Sequence, residues 1–141
     1  MDDLLEIMSK CDFPKRDIKA SVEVADVESY SGLKLPKDYI FYLENYFGID
    51  QFIGVEFINL WSLEEIIEAN KNYNIVEELS RTIGIGSNGS GEFIGIEIDQ
   101  SDNVKIILSP FIDLDSKHNI EIGKSFTDFL IRLDHKIEWF S

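Results

Sequence analysis

Gly84, Gly86 and Gly89 spell the spacing G-x-G-x-x-G, the most literal match in this chain to a known chemical motif. In a dinucleotide site such glycines let backbone amides approach a pyrophosphate at the start of a helix. Here the glycines lead into Glu92-Phe93-Ile94-Gly95-Ile96-Glu97-Ile98-Asp99, which alternates with the period of a strand and carries acids that repel phosphate. The segment therefore predicts a glycine-rich hairpin. A phosphate loop of the nucleotidase type is excluded as well, because no lysine followed by Ser or Thr comes right after the glycines.

The other reactive residue types are equally sparse. Asp113 and Asp115 would share one side of an extended segment and could bind Ca²⁺ or act as an acid/base pair, but calcium needs more oxygens and a glycine-shaped loop. His118 and His135 stand singly in polar or charged surroundings, with no nucleophile or orienting acid placed beside them by the sequence. Cys11, the only cysteine, sits beside Asp12, whose charge disfavours a thiolate. Ser62 and Ser125 read as helix caps and lie outside any G-x-S-x-G elbow. One cysteine and two histidines do not make a Cys/His metal cage. A small hydrolase or metal-dependent enzyme would have to draw on Glu92, Glu97, Asp99 and Asp113. The expectation is no catalysis, no cofactor and no metal.

Bulk properties point to recognition. At 141 residues and 44% apolar content the chain suits one domain with a real core. No stretch reaches the roughly 18 apolar residues of a membrane span. The start lacks a secretory pattern, so the expectation is a protein that stays in the cytoplasm where it is made. Acids outnumber bases 27 to 13, a formal net charge of −14, which repels nucleic acid and disfavours anionic membranes. The bias is also local: from Glu44 to Asp102 there are twelve acids against only Lys71 and Arg81. A basic protein is the natural complement, although surplus acid also serves plain solubility.

The elements that would carry such a surface can be read from periodicity. Leu4, Leu5 and Met8 predict a first helix behind Asp2 and Asp3, and a second is expected from Ser21 as cap through Val24, Val27 and Tyr30 to Gly32. Pro36 opens a third, with Tyr39, Ile40, Leu43 and Phe47 on one face up to Gly48. Phe52 to Trp61 reads as one strand with Ile53, Val55 and Phe57 pointing one way. Ser62-Leu63-Glu64-Glu65 has the form of a capping box for a helix to about Tyr73. Ile83 to Leu108 predicts three strands joined by turns at Gly86–Gly91 and Gln100–Asn103, closed by Pro110. Ser125-Phe126-Thr127-Asp128 is a second capping box, for a terminal helix striped by Phe126, Phe129, Leu130 and Leu133. Trp139 and Phe140 are candidates to pack back. Early helices and consecutive strands give an α+β class, a single domain over 1–141 with an antiparallel sheet packed with helices.

Four pieces occur in an order that resembles the SUKH superfamily over about residues 21–133: Leu35-Pro36-Lys37-Asp38-Tyr39 with Leu43 and Gly48; Leu60 to Ile66; Ile85-Gly86 through Gly91; and Ser125 to Leu130. The chain departs from the pattern at Asn88 and Ser90, where acid and glycine are frequent, and at Phe47-Gly48, where Asn-Gly is common. That superfamily includes immunity proteins of bacterial polymorphic toxin systems and fungal cell-wall assembly regulators. The resemblance implies a SUKH-like fold and a non-catalytic antitoxin that covers a cognate toxin, often a nuclease. An intracellular scaffold or regulatory adaptor is the other role it implies. For the binding surface, the acids expected to face solvent on strands and turns are Glu92, Glu97, Asp99, Asp102, Asp113 and Asp115, whose alternative role is a solvated sheet edge.

Overall fold

A computed structural model describes residues 2–140. Helix α1 spans Asp2–Lys10, with acids in its first turn and a lysine in its last, as the helix dipole favours. Its buried stripe is Leu4, Ile7 and Met8, while Leu5 faces outward at 42% exposure. Helix α2 (Val24–Ser31) starts later than expected. Glu23 is its cap, its backbone N–H donating to Asp26 Oδ2 at 3.0 Å, and Ser21 lies outside. Gly32 ends it in the left-handed region at φ 72°.

Helix α3 (Lys37–Asn45) follows Pro36 and ends two residues before Phe47, so its buried face is Tyr39, Tyr42 and Leu43, with Tyr46 just beyond. The largest departure from the sequence expectation comes after it. The segment expected to be one strand is a hairpin, β1 (Ile49–Ile53) and β2 (Glu56–Leu60), with Ile53 paired to Glu56. Gly54 takes φ 61° at the first position of the two-residue turn, a conformation that glycine adopts without steric cost. A Cβ there would also collide with the Leu133 carbonyl.

Helix α4 (Ile66–Tyr73) has only half of the expected capping box. Glu65 Oε1 accepts from both the Ser62 N–H and the Ser62 hydroxyl, each at 2.9 Å, so that hydroxyl donates to the glutamate. A short α5 (Ile75–Glu78) occupies the polar segment that carried no periodic signal. The three predicted strands are present as β3 (Thr82–Ser87), β4 (Glu92–Ile98) and β5 (Val104–Pro110). A further strand, β6 (Ile120–Gly123), precedes α6 (Phe126–Asp134). Ser125 caps α6 by accepting the Asp128 N–H at 2.9 Å, and Asp128 reaches back to the Lys124 N–H at 2.8 Å.

The six strands pair antiparallel in chain order, a plain meander. Both ends of the sheet approach α6, Gly54 at Leu133 and Gly123 at Phe129, so the sheet curls around that helix. Ile94, Ile96, Ile98, Ile106 and Leu108 on one face join side chains of α1, α3 and α6 in a single buried cluster. By register Gly84, Gly95 and Phe93 belong to the other face, where α4 and α5 pack over β3. Asp38 Oδ2 accepts from the Thr127 N–H (2.9 Å) and hydroxyl (2.8 Å), tying the starts of α3 and α6. Trp139 packs back by stacking on Phe129 at 6.5 Å, whereas Phe140 is 60% exposed. The architecture is α+β around one antiparallel sheet. No helix among the described residues is long and apolar enough to cross a membrane.

Candidate partner-binding surface

The six carboxylates singled out from sequence do not form one patch. Glu92 opens β4 opposite Pro110, and Asp113 and Asp115 follow the end of β5, so these three belong to one end of the β4–β5 hairpin. Glu97, Asp99 and Asp102 occupy the other end, about 20 Å away at ~3.4 Å per strand residue.

Each also has a local task. Asp99 Oδ1 accepts the N–H groups of Ser101 (2.8 Å) and Asn103 (2.9 Å), closing the β4–β5 turn. The Asn103 backbone hydrogen bond is the first cause holding its carboxyl below the usual range. Asp115 caps the 3-10 turn Ser116–His118 through the Lys117 N–H at 3.0 Å, which lowers its pKa likewise. Asp102 lies 3.8 Å from Arg81, and Asp113 Oδ2 is 3.4 Å from His118 Nε2. Glu92 accepts from Asn88 Nδ2 at 2.8 Å, and Glu97 stands opposite Lys105.

The other reactive candidates resolve into structure. Gly84 and Gly86 lie inside a strand, and Asn70 Oδ1 accepts the Gly84 N–H at 2.7 Å, so that amide does not face a ligand. Cys11 is half-buried, and burial first, then the nearby Asp134 charge, pushes its thiol pKa up. Glu92 and Asp113 sit at one end of the hairpin and Glu97 and Asp99 at the other, so the four acids available for hydrolysis do not converge. Among the described residues no group of three or more His, Cys, Asp or Glu is placed to hold a metal ion.

A different surface gathers more acid. Asp50 and Phe52 of β1 face the same way as their partners Asn59 and Phe57 of β2. Phe52 is 67% exposed and meets Phe57 edge-on at 5.3 Å. Beside Asp50 and Asn59 runs an open groove of about 450 Å³, which Phe47, Ser62 and Glu65 also line. It adjoins a second groove, about 270 Å³, bounded by Trp61, Glu64, Glu65 and Glu68.

The cation beside Glu64 is already engaged. Arg16 donates to both Glu64 oxygens, at 2.5 and 3.0 Å, and to the Leu43 carbonyl at 3.1 Å, with its guanidinium 5.0 Å from the Phe47 ring. Its hydrogen bond is the main cause holding the Glu64 carboxyl below its ordinary value of 4.5. A depressed folded-state pKa stabilises the fold above the unfolded pKa, and that gain fades as pH falls through the folded value. Glu64→Gln is therefore expected to cost about 1 kcal/mol at pH 7, the pair being partly exposed, and progressively less as pH falls below 4.5. Urea midpoints at pH 7 and pH 3 check this; an equal loss at both would rule out the charge pair as the cause.

Sequence reasoning missed this surface because of the turn. In one continuous strand Phe57 shares the side of Ile53, but the two-residue turn transfers it to the side of Phe52. The signal that was available is the local acid bias, which includes Asp50, Glu64, Glu65 and Glu68.

A family model described as the SMI1 / KNR4 family (SUKH-1) matches residues 20–132, from just before α2 into α6. The uncharacterized protein YnaB of Bacillus subtilis (strain 168) is similar to this chain, 31% identical over 136 residues that cover 94% of this chain and 90% of its own.

Proposed function

The chain belongs to the SMI1 / KNR4 family (SUKH-1), and from that premise we propose that it is an immunity protein, which binds a cognate toxin in the cytoplasm and neutralises it by cover. The observation that carries this reading is a net charge of −14 on a family scaffold whose candidate acid/base residues do not converge. The toxin class it fits best is a nuclease. An enzyme that grips a polyanion presents cations around its active site, and an acidic protein seated on them excludes the substrate by volume and by charge. Chemistry by the immunity protein itself is not required.

The carboxylates divide into two uses in this reading. Those in the β4–β5 turn and after β5 project the field that guides encounter, with Asp102 and Asp113 side chains 90% and 82% exposed. Changing both to lysine is expected to slow association with a cognate nuclease toxin domain about tenfold at low salt and to flatten the salt dependence. Stopped-flow mixing at two ionic strengths measures it, and unchanged rates would remove these residues from steering. The function itself is tested by co-expression. Cells carrying that toxin domain should survive only with the intact chain, and death in its presence would leave the scaffold or adaptor role as the better account.

A further inference from the structure

We propose that the outer face of the β1–β2 hairpin, continued by the start of α4, is the docking surface for a basic protein partner, with Phe52 as its apolar anchor; this rests on the toxin-binding reading above. Register puts Asp50, Phe52, Phe57 and Asn59 on this one face. Helices α4 and α5 pack on β3, and α4 brings Glu65 and Glu68 to its rim without covering Phe52.

The anchor is braced. Phe52 leans edge-on against Phe57, and Phe57 in turn lies against the β3–β4 turn, its ring about 3.2 Å from where a Gly89 Cβ would stand. Aromatic residues, Phe among them, are enriched at the cores of interfaces, and a ring already leaning on a neighbour has less freedom to lose on binding.

Charge decides the occupant. Asp50 and Glu68 are exposed and, among the described residues, form no ion pair, while Glu65 is the wall shared by both grooves. A second copy of this chain would set these carboxylates against their own kind at a net charge of −14 each, and nucleic acid is repelled for the same reason. A lysine- or arginine-bearing surface can place cations in the grooves while an apolar site closes over Phe52.

The test uses the whole chain and a cognate nuclease toxin domain. Phe52→Ala, at a mostly exposed position, is expected to weaken binding about 30-fold, mainly through faster dissociation. Asp50→Lys with Glu68→Lys should weaken it about tenfold or more. Hydrogen exchange on the unaltered complex should show slowed amides within residues 49–60, which does not depend on any variant folding. Binding by the unaltered chain that persists within about twofold in both variants, without protection at 49–60, overturns the surface and leaves the toxin-binding reading standing. No binding by the unaltered chain overturns both. Sedimentation showing a dimer that Phe52→Ala dissolves, with toxin affinity unchanged, would give the face to a second copy and overturn the proposal.

Discussion

Asn70→Leu is expected to destabilise the fold by about 3–5 kcal/mol, read as a lowered urea midpoint with an unchanged slope. The reason lies in a gap in the sheet. Strands β2 and β3 pair only at Asn59–Ser87 and Leu60–Gly86, and a bulge between Gly84 and Gly86 interrupts the register with β4. Gly84 lies beyond that short ladder, and its backbone groups must find partners elsewhere. The Asn70 side chain supplies both: Oδ1 accepts the Gly84 N–H at 2.7 Å and Nδ2 donates to the Gly84 carbonyl at 2.9 Å. Nδ2 donates also to the Ile66 carbonyl at 2.8 Å. With the residue fully buried, leucine would fill similar space but leave a donor and an acceptor unpaired, each costing ~1–3 kcal/mol. Glycine at 84 is part of the same arrangement, since a Cβ there would stand 2.7 Å from Ile75 Cδ1 and 3.3 Å from Asn70 Oδ1. A loss below about 1 kcal/mol would show that the amide bridge is dispensable. Because the bridge ties α4 to β3, its loss should also loosen the edge on which the β1–β2 hairpin is mounted.

Phe126→Ala is expected to cost about 3–5 kcal/mol by the same measurement. Phe126 is fully buried at the start of α6, its ring 5.2 Å from Tyr39, 5.1 Å from Tyr42 and 6.2 Å from Phe129. Tyr39 and Tyr42 stack at 6.0 Å, so truncation opens a cavity that stacked rings on one helix cannot collapse to fill. The adjacent Thr127 is tied to Asp38, which keeps α6 from sliding into the space. Phe126→Leu keeps most of the volume and should lose about 1–1.5 kcal/mol. A similar loss for alanine and leucine would place the energy in ring geometry, whereas a loss below about 1 kcal/mol for alanine would show that the site repacks.

The parts legible in the sequence are those whose physics is local. Ser125 capping α6 and Gly32 ending α2 arise from interactions within a few residues, and the three strands from Thr82 to Pro110 pair only with their neighbours in chain order. The acid excess and the order of family pieces are properties of composition and chain order alone. They fix the charge of the surface and the class of the fold without saying where anything lies.

Tertiary structure decided what depends on register and on distant partners. A two-residue turn at Gly54-Val55 changed which residues share a face, moving Phe57 beside Phe52 and creating a surface that a continuous strand would have hidden. Strand β6 is set by its pairing with β5 at Ile120, Glu121 and Gly123, and α5 forms because Ile75 is buried on β3. Asn70 reads in sequence as one more polar helical residue, yet it completes a strand fourteen positions away. The six acids were recognisable as acids, but their division between opposite ends of a hairpin comes from strand length and pairing. Residue type is a one-dimensional property. Proximity is set by which backbone groups remain to be paired once the local elements have formed, and that is settled only when the whole sheet closes.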